Sequence, residues 1–271
     1  MAATYRSLPA SLWAYHADRR RAVAIALLVA LIAGPATATA VLLVLVALEA
    51  AAERRQLTML ALYGAALTTS VDSLTIAPLM MAMFFSRRFA KGGWRIGALA
   101  IACLLLALCR LAAPTVALPV ADIAGGGPTL WTIAALLPLH VPLLGLAIAC
   151  VVGTAALLAA HFSASPLNDR AIMPAATLVS LAIATLLPAA SLQCFALPLA
   201  LAIANAFARA RHGGRVAGLA MAGLSLAVLG LPAVGAVAVI TATLLLAATV
   251  LRPAANDNQF SMIWPILARN G

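Results

Sequence analysis

The chain has 271 residues, of which 65% are hydrophobic and only 9% charged, against about 25% charged in a soluble domain. A soluble core of this mass cannot hide that much apolar surface, so the excess must face lipid, and spans of about 20 residues give roughly eight to ten crossings. The net charge of +10 does not form a nucleic-acid face, because the cations sit in small groups at the ends of apolar runs.

Residues 1–21 are polar and basic and end in Arg19, Arg20 and Arg21, giving a cytoplasmic N-terminal segment. The apolar run from Ala22 to Ala33 that follows ends in GPATATA, which has the layout of a secretory signal. A second apolar run, VLLVLVAL, begins immediately after Ala40, and a cleaved product would start inside a membrane segment. Retention of the segment is the reading adopted.

Further apolar runs occupy roughly 57–86, 96–113, 130–160, 172–189, 192–208, 216–231 and 233–251, bounded by Gly, Pro or charge. The expected fold is therefore an all-α polytopic transmembrane helix bundle over 22–251, with a cytoplasmic tail at 252–271 and both termini inside. If 22–50 and 57–86 are single tilted helices there are eight spans. If each is a hairpin, turning at Gly34-Pro35 and at TTSVDS (68–73), there are ten. The eight-span version leaves Arg54, Arg55 and Arg110 outside, whereas the ten-span version leaves only Arg110, so the positive-inside rule favours ten. Helix length argues the other way, since about 13 residues rise only about 20 Å against about 30 Å of hydrocarbon.

The cytoplasmic loops are then 87–95, 161–170 and 209–215, carrying Arg87, Arg88, Lys91, Arg95, Arg209, Arg211 and Arg215. The main external segment is 114–130, PTVALPVADIAGGGPTL, whose glycines and prolines exclude regular helix. This layout places the protein in a bacterial inner membrane, with lipids as its immediate partners, no nucleic-acid partner and room for membrane protein partners.

Asp72 is the only acid deep inside an apolar run. Read as helix, it shares a face with Thr68 at i−4 and Thr75 at i+3, with Ser70 and Ser73 nearby. An intramembrane acid is a functional hypothesis by default, and a serine-bonded carboxyl at a helix break is the structural alternative. Asp122 precedes the triple glycine and is expected to be solvated on the external side. His140, between Pro138 and Pro142, is expected to be a structural histidine. Cys103, Cys109, Cys150 and Cys194 lie in apolar stretches without zinc or CxxC spacing and are read as small hydrophobes. No metal-ligand spacing, phosphate loop or nucleophile elbow occurs, so neither a metal nor a cofactor is expected.

The stretches AGPATATAVLLVLVAL, ERRQ, YGAALTTSVDS, LTIAPLMMAMFF and SRR, running from Leu27 to Arg88, resemble the later transmembrane part of GT-C glycosyltransferases, membrane enzymes that use polyprenyl-phosphate sugars. LLPAASLQCFALPLALAIANAF (186–207) is similar to that family's external turn and the helix after it, and GGGPTLWTIAALLP to its external Asn-x-Trp segment. The chain departs from the family at its lysine position, occupied here by Ser70 or its neighbours, at the HeRY turn, which reads Ser191, Leu192, Gln193 and Cys194, and in lacking a recognisable long first external loop. The resemblance implies a site on the external helix ends for a lipid-phosphate sugar donor. It implies Asp72 and Asp122 as candidate catalytic acids, Gln193 as a sugar or phosphate contact and Arg110 as an attractor of the donor phosphate. A small transporter with a site at Asp72, and an assembly subunit of a membrane complex, are the competing classes.

Overall fold

The computed structural model describes residues 33–53, 55–85, 126–136, 143–164, 167, 169–207 and 213–251, together with residues 24, 28 and 31. Among these the chain is all-α, with no strand. The Ala/Leu-rich runs have high intrinsic helix propensity, and Pro35 and Pro232 stand at the first position of the helices they open.

Helix α1 (Pro35–Ala52) starts with Pro at its first position and forms a hairpin with α2 (Gln56–Thr69) across Glu53–Arg55, where an exposed Arg55–Glu53 ion pair of 3.3 Å sits on the turn. The 57–86 run breaks at Ser70, whose backbone is extended, and continues as a 3-10 segment (Val71–Ile76) and then α3 (Ala77–Phe85). Both long N-terminal apolar runs are thus interrupted, at Gly34-Pro35 and at Ser70. The 3-10 segment folds back on α2: Tyr63 donates its hydroxyl to the Ser73 carbonyl (3.0 Å), and the Ser73 hydroxyl donates to the Ala66 carbonyl (3.3 Å).

The 130–160 run contains two elements, a single helical turn α4 (Leu130–Ala134) and the long α5 (Leu143–Ala164). Next comes α6 (Asp169–Leu186), which starts before the expected 172 and runs through Pro174, so the expected loop 161–170 shrinks to the few residues between α5 and α6. A connector leads to a second 3-10 turn (Leu192–Phe195) and α7 (Ala196–Phe207); α8 (Gly213–Val228) and α9 (Pro232–Val250) form the last hairpin.

One continuous core joins α1, α2, α3, α6, α7 and α9 through Val41, Met59, Leu79, Leu178, Leu201 and Val239. Among the described residues, three helices, Pro35–Ala52, Leu146–Ser163 and Pro232–Val250, are long and apolar enough to cross a membrane. Only 17% of the Leu146–Ser163 stretch is buried, and Ile148, Val152 and Leu157 lie on the surface, so its outward face suits lipid rather than water. Close helix packing comes from small residues, as expected where lipid is as apolar as leucine. The tightest case is α8 against α9, where Gly223 and Gly235 sit backbone to backbone.

Following the hairpins fixes the two ends of the bundle. Ser70, the 126–132 segment and the 187–195 connector lie at one end, while the Glu53–Arg55 turn, the C-terminus of α7 and the start of α8 lie at the other.

Candidate functional site

Three irregular segments meet at the first of these ends. The 3-10 segment after Ser70 packs against α6 and against the 3-10 turn at Leu192–Phe195. The Gly126–Thr132 segment is tied to the α6–α7 connector by two bonds: the Gly127 N–H donates to the Ala190 carbonyl (3.0 Å), and the Trp131 indole N–H donates to the Leu186 carbonyl (2.6 Å). Leu186 is the last residue of α6, so its carbonyl has no partner further along the helix and the indole supplies one. Ala189, between the two bonded carbonyls, has φ 53, a left-handed conformation that non-glycine residues seldom adopt.

Asp72 sits half-buried at this meeting point on the 3-10 segment. The Ser70 hydroxyl donates to its Oδ2 (3.1 Å), and the Asp72 N–H donates back to the Ser70 Oγ (3.3 Å), a local cap that an Asp two residues after a Ser can form. The Asp72 carbonyl accepts from Thr75 Oγ1 at 2.8 Å. Across the gap the Cys194 thiol lies close enough to the Asp72 carboxyl to feel its charge, and Ser191 Oγ lies 3.7 Å from the Cys194 sulfur. Gln193, next to Cys194, is exposed. Thr129 Oγ1, buried under the same end, meets no protein hydrogen-bond partner.

The arrangement differs from the helical reading of the sequence. Because α2 stops at Thr69, Thr68 is not one turn below Asp72 on a shared face; its hydroxyl donates to the Ala65 carbonyl of its own helix. Ser73 is also turned away from the carboxyl, toward α2. Ser70 is the residue that holds Asp72, and Cys194, read from sequence as a small hydrophobe, is its neighbour from a distant part of the chain. Asp72 and Gln193 are therefore brought to facing turns. Asp122, Arg110, His140, Cys103, Cys109, the 1–21 segment and the 252–271 tail lie outside the described residues.

Among the described residues no group of three or more His, Cys, Asp or Glu side chains could hold a metal ion. The site offers a carboxyl able to accept a proton or a hydrogen bond, a thiol, two serine hydroxyls and an exposed amide. No protein-family model, curated protein or solved structure matches the chain. The likeness to GT-C enzymes rests on the quoted motifs alone.

Proposed function

We propose that the protein is a multi-pass protein of the bacterial inner membrane that acts on, or descends from enzymes that act on, a polyprenyl-phosphate-linked sugar at the periplasmic face. The observation that carries this reading is the meeting of Ser70–Ile76 with Leu187–Phe195 around Asp72, and the bonding of Gly126–Thr132 to that same connector, at one end of an apolar bundle. These are the three segments that the family resemblance assigns to the external donor site. In this reading lipid-facing helices hold the polyprenyl tail, Gln193 contacts the sugar phosphate, and Asp72 accepts the proton of the attacking hydroxyl. Ser70 keeps the carboxyl oriented.

The orientation is drawn from charge. Arg55 and Arg215 lie at the end opposite Asp72, and Arg54, Arg209, Arg211 and Arg252 flank that end in sequence, which supports ten spans with both termini and this basic end in the cytoplasm. Short turns at the basic end leave little room there for a soluble nucleotide sugar.

The discontinuous helix at Ser70 favours a second reading, a small transporter using Asp72 as its polar site. One experiment separates the two. Envelope glycans and lipid-linked sugars are compared between wild type and a deletion strain, which is then complemented with Asp72→Asn or Gln193→Ala. The glycosyl-transfer reading expects a glycan defect that Asp72→Asn fails to rescue. Unchanged glycans in the deletion strain overturn it in favour of transport or assembly.

A further inference from the structure

Far from Asp72, helix α7 carries a single amide, Asn205, fully buried, and neither its nitrogen nor its oxygen meets a protein hydrogen-bond partner. An unsatisfied amide in an apolar interior costs about 1–3 kcal/mol, so the surroundings of this one are informative. Helical side chains lean toward the N-terminus and cover the preceding turn, which places the Asn205 side chain over Leu201. Helix α6 is bonded to α7 at that spot: Thr177 Oγ1 shares its proton between the Leu201 carbonyl of α7 (3.1 Å) and the Met173 carbonyl of its own helix (2.9 Å).

Since α6 and α7 run antiparallel through their short connector, one turn onward along α7 from Leu201 is one turn back along α6 from Thr177. Asn205 therefore stands level with Met173 and Pro174. Pro174 is inside α6 and has no N–H, so the carbonyl of Arg170, four residues earlier, has lost its helical donor. The Asn205 amide and the Arg170 carbonyl thus fall within about a turn of each other along the interface, one turn beyond Thr177. The one proton of Thr177 is already given to carbonyls, so it cannot serve Asn205 Oδ1 or the Arg170 carbonyl, and Asn205 Nδ2 makes no bond to its oxygen.

We propose that this interface holds an ordered water molecule that bridges Asn205 to the carbonyl freed by Pro174. A primary amide presents a C=O and a syn N–H on the same side. One water can therefore accept from Nδ2 and donate to Oδ1, leaving its second proton for the Arg170 carbonyl, the three bonds usual for buried water. Prolines inside membrane helices are tolerated where a neighbouring helix or a water takes up the freed backbone group, and Asn205 is the neighbour placed to hold that water. This site is independent of the function proposed for Asp72.

The test is a double-mutant cycle on the detergent-solubilised full-length protein, read by thermal unfolding of wild type, Asn205→Leu, Pro174→Ala and the double variant. Asn205→Leu removes the water's anchor and is expected to lower Tm by about 3–8 °C. Pro174→Ala returns an N–H to the Arg170 carbonyl, so Asn205→Leu costs clearly less in that background. A Tm for Asn205→Leu equal to or above wild type overturns the proposal, because replacing a dry, unpartnered amide with an apolar group relieves a penalty. Additive effects of the two substitutions overturn it as well. If Asn205→Leu alone does not accumulate, recovery of folded protein in the Pro174→Ala background supports the bridge and equal loss refutes it.

Discussion

The Gly127 N–H donates to the Ala190 carbonyl at 3.0 Å, and a Cβ placed on Gly127 would come within 2.6 Å of that same oxygen. The absence of a side chain is thus a condition for the bond that joins the 126–132 segment to the α6–α7 connector. The next nearest atom to that Cβ position belongs to the Phe195 ring, at 3.1 Å, so movement away from the carbonyl is blocked on a second side. Gly126 has nothing within 4 Å of its own Cβ position. Gly127→Ala is expected to lower stability by about 1–3 kcal/mol, while Gly126→Ala leaves it within about 0.5 kcal/mol of wild type. Thermal unfolding of the two purified variants checks this; equal Tm values would mean that the contact is not made.

Ala189 gives a prediction of opposite sign. Its φ of 53 costs an L-residue about 1–2 kcal/mol, which glycine does not incur, while glycine adds back about 0.4–1 kcal/mol of unfolded-state entropy. Ala189→Gly is expected to raise stability by about 0.5–1 kcal/mol net. A drop in Tm would show that the left-handed turn is not populated. If the strain serves to present the carbonyls on either side of it to Gly127 and Trp131, the glycine variant gains stability but loses in complementation of a deletion strain.

The α8–α9 hairpin is held by a reciprocal backbone approach: a Cβ on Gly235 would meet the Gly223 carbonyl oxygen, and one on Gly223 would lie 2.7 Å from the Gly235 carbonyl oxygen. Either residue changed to Leu must push the helices apart, so a loss of several kcal/mol or failure to accumulate is expected. Gly218, on the same helix with nothing near its Cβ position, is the matched control and should accept Ala without loss. Accumulation of Gly235→Leu at the wild-type level would contradict the packing.

Much of the fold could be read from local punctuation. Pro35 and Pro232 mark helix starts because proline fits the first turn, and the cluster TTSVDS ends α2 where hydroxyls compete for backbone bonds. Pro174 follows no such rule: it lies inside α6, and its cost is set by what lies beside the helix. The site was legible only in part for the same reason. Asp72 stood out as a lone acid in an apolar run, but its helical phase depended on whether the helix survived Ser70, and it did not. Cys194, Asn205 and the Gly223–Gly235 pair carry no local signal. Each matters through a neighbour far away in sequence, and a single chain offers no measure of which helix faces which.

The arrangement of the two ends yields a topological prediction. Helices α1 and α2 form a hairpin, so Gly34 and Ser70 lie at one end and Arg55 at the other. Ser70 shares its end with the α6–α7 connector through the contact of the two 3-10 segments, while Gly213 at the start of α8 touches Asn205 and Ala206 near the end of α7. Arg55 and Arg215 are therefore on the same side of the bundle. A reporter active only in the periplasm is expected to be inactive when fused after Arg55 and after Arg215, and active when inserted after Ser70 and after Ala189. The lengths of α2 and α7, 14 and 12 residues, rise only about 21 and 18 Å, so neither spans the hydrocarbon as a bare rod. Their ends must be covered by the 3-10 segments and by neighbouring helices, which is the geometry seen around Asp72. An active fusion after Arg55 together with an inactive one after Arg215 would restore the eight-span arrangement, in which Arg54 and Arg55 lie outside. It would also remove Asp72 from the periplasmic face.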